Sequence, residues 1–256
     1  MLRADAPVMA SRLPESHLLR DAVYTALYPT YVNLFHWLTW IFALGVEMSI
    51  VLVLTGGRPF AWEISVTREI QGLPGGSLAF DLTAPLTNTA SVGFVLLFLG
   101  VVAFLGRRGH REAIALLLLS FPLHLLAQLP ARVIERPGPS SQFAGIEGIG
   151  GFSTFPSAQA EYAIAFYGFL AYLLMLRFTR DWQRNALLWG WVGFVVTTGL
   201  ARIATGHQWP VDIIASYVAG LGILSLLIWL HGAVLTARAE QEAEGATESL
   251  PSPVLS

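Results

Sequence analysis

The sequence predicts an all-α, polytopic membrane bundle, and three observations carry that expectation. Of 256 residues, 54% are hydrophobic and 12% charged, about half the charge of a soluble domain. The apolar residues gather into about six runs, each near the roughly 20 residues a helix needs to cross a bilayer. These runs account for most of the chain, so a single membrane domain over 32–236 is expected. There is no cysteine, which excludes disulfides and thiolate metal sites. There is no lysine either: all 15 basic residues are arginine.

Taken in order, residues 1–16 are polar and lack an apolar core of signal-peptide length. Residues 17–31 mix apolar and charged positions at helical spacing. They read as an interfacial helix or as the helical lead-in to the first span, and close an N-terminal segment 1–31. The first span covers 32–56 and contains His36 and Glu47. Glu47 is expected to face other helices, hydrogen-bonded. A connector, 57–86, holds a short amphipathic surface helix and a Gly-Pro turn. The second span, 87–106, follows a cap expected at Thr87–Thr89. The third, 112–130, contains Pro122 and His124, a pair that predicts a kink.

Residues 131–155 form a long loop rich in Gly, Ser and Pro, and loops of that length are often functional. The fourth span, 156–177, opens on Pro156, a good first helical residue. Its Tyr162, Tyr167 and Tyr172 fall at near-helical spacing and read as packing groups. The fifth span is 185–203 and the sixth 210–236, again opening on a proline. The tail 237–256 is acidic and expected to be disordered beyond its first turns.

Arginine placement sets the orientation. With six spans, one side receives Arg3, Arg12, Arg20, Arg107, Arg108, Arg111, Arg177, Arg180, Arg184 and Arg238; the other receives Arg58, Arg68, Arg132, Arg136 and Arg202. The positive-inside rule places the richer side, with both termini, in the cytoplasm. Arg107, Arg108 and Arg111 are a topology signal; three charges in a short loop are too few for nucleic acid.

Three stretches converge on the opposite, outer face. Ala131–Pro137 (ARVIERP) ends span three, and its Arg132 and Arg136, four apart, are expected on one side of a helix. Phe155–Gln159 (FPSAQ) opens span four, so the first-turn amides of Ser157, Ala158 and Gln159 are free to bind an anion. Gly199–Asp212 (GLARIATGHQWPVD) joins spans five and six and carries Arg202, His207, Gln208 and Asp212. Arginines, a hydroxyl and a helix N-terminus at one membrane surface fit a phosphate, because the guanidinium fork donates two parallel hydrogen bonds to phosphate oxygens. Interfacial arginines on lipid headgroups are the plainer reading of the same residues.

The spacing of these stretches resembles the three signature motifs of the type-2 phosphatidic acid phosphatase family, which also includes vanadium haloperoxidases. The family pattern is Lys-six residues-Arg-Pro, then Pro-Ser-Gly-His, then Ser-Arg-five residues-His-three residues-Asp. Here the motifs read Leu129…Arg136-Pro137, Pro156-Ser157-Ala158-Gln159 and Ala201-Arg202…Gln208…Asp212, without gaps. The resemblance covers roughly residues 60–236. It implies the family's membrane fold, no metal or cofactor, and a lipid phosphate or diphosphate headgroup as partner. It also implies that Arg136, Ser157 and Arg202 hold phosphate oxygens and that Asp212 orients the nucleophile.

The nucleophile position, however, is Gln208, the general-acid position is Gln159, and the lysine position is Leu129. A glutamine amide does not titrate near neutral pH, so it cannot act as general acid or base. Its delocalised nitrogen lone pair makes it a very poor nucleophile, although it hydrogen-bonds through both ends. Glutamine in place of histidine keeps shape and removes chemistry. Arg132 is expected to cover part of the missing lysine charge. His207, next to Gln208, is the candidate substitute nucleophile. A helical step of about 100° would turn it away from the phosphorus, and its other reading is an interfacial histidine beside Trp209. Three functions remain open: headgroup binding with hydrolysis lost, a rearranged phosphatase or phosphotransferase using His207, and a relic site in a membrane interaction protein. Residue types alone do not give an oligomeric state.

Overall fold

A computed structural model describes residues 37–140, 142, 145–148 and 155–248, with side chains through Gln241. The segment 1–31, including the interfacial helix expected at 17–31, and His36 lie outside the described residues. Within them, all regular structure is helical. Helix α1 (Trp37–Leu54) is followed by α2 (Ala61–Gln71), α3 (Gly76–Thr87), α4 (Val92–Arg107) and α5 (Arg111–Ala127). A 3-10 turn (Leu129–Arg132) ends α5, and α6 (Ala158–Met175), α7 (Asp181–Ala204) and α8 (Pro210–Glu248) complete the bundle.

Four helices are long and apolar enough to cross a membrane, and a fifth span results if α3 and α4 count as one broken span. The two meet at a 46° bend. The break follows from Pro85 inside α3 and from Ser91, which caps α4 by accepting from the Phe94 amide at 3.0 Å. Ser91 also donates to the Pro85 carbonyl. The cap therefore sits at Ser91 rather than at Thr87–Thr89. Thr87 is still inside α3, with its hydroxyl on the Thr83 carbonyl at 2.9 Å. Helix α5 stays continuous across Pro122.

The remaining helix of the expected six, α6, is the axis of the fold. Its Tyr162, Ala163, Phe166 and Phe169 pack in one apolar core with Phe94, Leu117, Val195 and Leu227. An enclosed helix can carry polar groups if each finds a partner. Glu161, buried, accepts from Gln128 Nε2 at 2.7 Å and lies 3.0 Å from His124 Nδ1. Tyr167 donates to the Leu86 carbonyl at 2.6 Å, which fits the packing role expected of the tyrosines. A Cβ on Gly220 would lie 2.9 Å from the Glu161 carbonyl oxygen. The backbones of α6 and α8 approach this closely only because a glycine is there.

One expectation changes. Glu47 does not face other helices: it is exposed on α1, which packs on the bundle along a narrow stripe around the buried Leu52. The first turns of the tail continue α8 to Glu248, and their Ala, Glu, Gln and Arg are strong helix formers.

Candidate functional site

The first motif lies where the chain abandons helical geometry. Pro130 tightens the end of α5 into the 3-10 turn, and from Ile134 the chain is no longer helical, the Arg136 amide turning back to the Ile134 carbonyl at 2.8 Å. A spacing of four no longer means a shared face. Arg132 is exposed and Arg136 is fully buried, so the expected pairing of the two on one helical side does not form. Leu129 is also exposed.

Arg136 is held between two carboxylates. Its Nη1 donates to Asp212 Oδ1 at 2.5 Å and its Nη2 to Glu63 Oε2 at 2.6 Å. Glu63, on α2, also accepts from the Phe60 amide at 2.8 Å and from the Val211 amide, in the first turn of α8, at 3.0 Å. Asp212 caps the same turn by accepting from the Trp209 amide at 3.0 Å. The fully buried Trp209 ties the third motif to the first by donating its Nε1 to the Pro137 carbonyl at 2.9 Å. Burial holds the Glu63 carboxyl above the ordinary glutamate value, against the pull of Arg136 and of the Phe60 and Val211 amides; Asp212 pushes it the same way as burial.

The second motif reaches the same turn of α8. Ser157 is the N-cap of α6 and is fully buried. Its amide donates to Ser216 Oγ at 2.6 Å, and Ser216 in turn donates to the Asp212 carbonyl at 2.5 Å. Gln159, in the first turn of α6, is half-buried.

The third motif leaves α7 at Ala204 and turns without helix through Thr205–Gln208. Gly206 has φ +68°, and a Cβ there would lie 2.1 Å from the Glu147 carbonyl oxygen. That loop is clamped by Gln71, which donates to the Glu147 carbonyl at 2.6 Å and accepts from its amide at 3.0 Å. Arg202 is buried, its guanidinium carbon 5.7 Å from the Phe80 ring centre. The buried Gln208 donates its amide to the Arg202 carbonyl at 3.3 Å. His207 is half-buried, stacked on Phe80 at 4.5 Å, with Nδ1 2.9 Å from Thr205 Oγ1. Burial, with Arg202 nearby and against the influence of Thr205, holds its pKa below the ordinary histidine value. Its ring neighbour is thus Phe80, and a 100° helical step does not set its direction in a non-helical turn.

Native interiors leave few buried polar groups without partners. Six such side-chain atoms occur among the described residues, and four belong to motif residues: Arg136 Nε, Arg202 Nε, Ser157 Oγ and Gln208 Oε1. A guanidinium N–H, a hydroxyl and an invertible amide are each able to bond an oxyanion oxygen. Beside them lies an apolar chamber of about 730 Å³ between α1, the end of α5 and one face of α8, walled near the motifs by Ile134, Phe155 and Pro156.

Glu63 was not singled out in the sequence. Its signal was faint: a glutamate three residues after Phe60 in a surface helix reads as a capping group. That it also reaches Arg136, 73 positions away, is a tertiary fact. Ser216 was missed for the same reason.

A family model matches the chain over residues 113–235, that of the PAP2 superfamily. The matched segment takes in all three motifs and begins after Glu63. No curated protein and no solved structure matches.

Proposed function

The chain belongs to the PAP2 superfamily, and on that premise we propose that it holds a lipid phosphate or diphosphate headgroup at the outer face of the plasma membrane, with hydrolysis lost. The observation that carries this reading is the set of partnerless buried donors on Arg136, Arg202 and Ser157, one or more in each of the three motifs, together with a glutamine at the nucleophile position. A frame able to receive an oxyanion remains, and the groups that would attack phosphorus and protonate the leaving oxygen do not. The arginine asymmetry supports an orientation with both termini cytoplasmic. In the family's terms, Asp212 would orient residue 208; here its two oxygens serve Arg136 and the Trp209 amide.

One observation favours a second reading, a relic site in a protein that works through membrane partners: both Nη groups of Arg136 are already taken by carboxylates. The reading that uses His207 rests on a ring whose face is covered by Phe80 and whose Nδ1 meets Thr205. A phosphate-release assay on lipid phosphates separates the three. The headgroup reading expects no release from the unmodified protein, and release once Gln159→His and Gln208→His are introduced together. Headgroup binding without release, weakened by Arg202→Gln, supports it. Release by the unmodified protein that disappears in His207→Ala overturns it in favour of the rearranged enzyme. No binding at all favours the relic.

A further inference from the structure

The charge inventory of the frame narrows the ligand. The family pattern supplies a lysine, two arginines and two histidines. Here the lysine and both histidine positions are neutral: Leu129, Gln159 and Gln208. Arg136 spends its two Nη groups on Glu63 and Asp212, one guanidinium against two carboxylates, all three fully buried. Arg202 is then the buried cation of the motifs that forms no ion pair among the described residues, and its neighbour is the face of Phe80. Two neutral groups of the second and third motifs, the Ser157 hydroxyl and Gln208 Oε1, are likewise buried and lack a partner.

Taking charge out of water is costly unless it is matched locally. A phosphomonoester carries about −1.5 to −2 at neutral pH, and a diphosphate more. Against one uncommitted cation, with a surplus carboxylate on the far side of Arg136, the second negative charge has no counterpart. A phosphodiester carries a single charge over two non-bridging oxygens. Arg202 Nε, Ser157 Oγ and an inverted Gln208 amide offer about the number of donors those two oxygens can use. Resting on the reading above that the site holds a phosphate-bearing lipid headgroup without hydrolysing it, and replacing the monoester or diphosphate of that reading by a diester, we propose that the ligand is the monoanionic phosphodiester headgroup of a membrane glycerophospholipid, and that Glu63 disfavours phosphomonoesters by committing Arg136. The apolar chamber beginning at Phe155 and Pro156, immediately before Ser157, supplies room for the hydrocarbon chain and makes the lipid, rather than a free headgroup, the ligand. A diester bound beside two glutamines is held without being cleaved, which agrees with the missing nucleophile.

The test is binding by the purified full-length protein in detergent, with four probes: short-chain phosphatidylglycerol, short-chain phosphatidic acid, glycerophosphoglycerol without acyl chains, and inorganic phosphate. The diester lipid is expected to bind about tenfold or more tightly than the monoester lipid, and the chain-free diester more weakly than its lipid. Glu63→Gln returns charge to Arg136 and is expected to narrow or invert that preference. Ser157→Ala, a small change in a folded protein, is expected to weaken the diester severalfold. Equal or tighter binding of phosphatidic acid, or a preference untouched by Glu63→Gln, overturns the inference while leaving the headgroup reading standing. Glycerophosphoglycerol binding as well as its lipid overturns the lipid assignment. Failure of every probe overturns the headgroup reading itself.

Discussion

Arg136→Ala should damage the fold far more than loss of either of its carboxylate partners. The guanidinium is fully buried and bridges Glu63 and Asp212 at 2.6 and 2.5 Å. Removing it strands two buried carboxylates, and breaking a buried pair in this way costs about 3–5 kcal/mol. Glu63→Gln is milder. Asp212 still pairs with Arg136, the new amide oxygen can still accept from Phe60 or Val211, and one charge no longer needs burying. The loss of a charge-assisted bond, net of that relief, is on the order of 1 kcal/mol. At roughly 2–4 °C per kcal/mol for a chain of this size, Arg136→Ala should lower Tm by about 6–20 °C, and Glu63→Gln by only a few degrees. The pair should also couple: adding Glu63→Gln to Arg136→Ala removes one stranded charge, so the double variant should be more stable than Arg136→Ala alone. Thermal unfolding of the purified protein in nanodiscs, at one scan rate, reads all three. An Arg136→Ala variant no weaker than Glu63→Gln, or a double variant whose losses simply add, would show that the three groups do not share one charge balance.

The same cluster gives a pH dependence. Because burial raises the Glu63 pKa above its unfolded value, the folded protein keeps, between those two values, a proton that the unfolded chain has released, and above them Glu63 is the carboxylate that pairs with Arg136. Stability from this group is full below the ordinary glutamate pKa and falls as pH rises through the folded one; Glu63→Gln should flatten the Tm–pH curve in that window. Gly206→Ala forces a side chain into φ +68° against the Glu147 carbonyl and should cost more than about 1 kcal/mol, loosening the 145–148 loop in a protease-nicking assay. Tyr167→Phe deletes the bond to the Leu86 carbonyl and should cost about 0.5–1.5 kcal/mol, with no effect on lipid binding.

The bundle was legible because bilayer physics leaves a strong trace: apolar runs of spanning length, broken by arginine-rich loops and by Pro210 at the start of α8; Pro156, expected to open its helix, instead precedes the Ser157 cap of α6. The motifs were legible because their spacing lies within short stretches of chain. What escaped was whatever depended on the path between them. Arg132 and Arg136 looked like neighbours only while the chain was assumed helical there, and the 3-10 turn around Pro130 separates them. The connector 57–86 read as a surface segment with one short helix, yet α2 sends Glu63 into the interior. A lone glutamate in an amphipathic stretch carries no mark of the partner it will meet 73 positions on. The α3–α4 break at 88–91 fell inside the expected second span, 87–106, because Thr87 and Ser91 are both capping residue types and only the structure shows that Ser91 takes the Phe94 amide.

Helix α8 spans 39 residues, about 58 Å of rod at 1.5 Å per residue, while a hydrocarbon core is about 30 Å thick. Its first two turns carry Val211, Asp212 and Ser216, which bond to Glu63, Arg136 and the Ser157 amide. Farther along, His231 meets the Tyr172 hydroxyl and Arg238 pairs with Glu112 at 2.9 Å. The rod is therefore tied near both ends, to the motif loops at one and to α6 and α5 at the other. A displacement of its first turns is carried along the helix to Glu112, because a helix is stiff along its length.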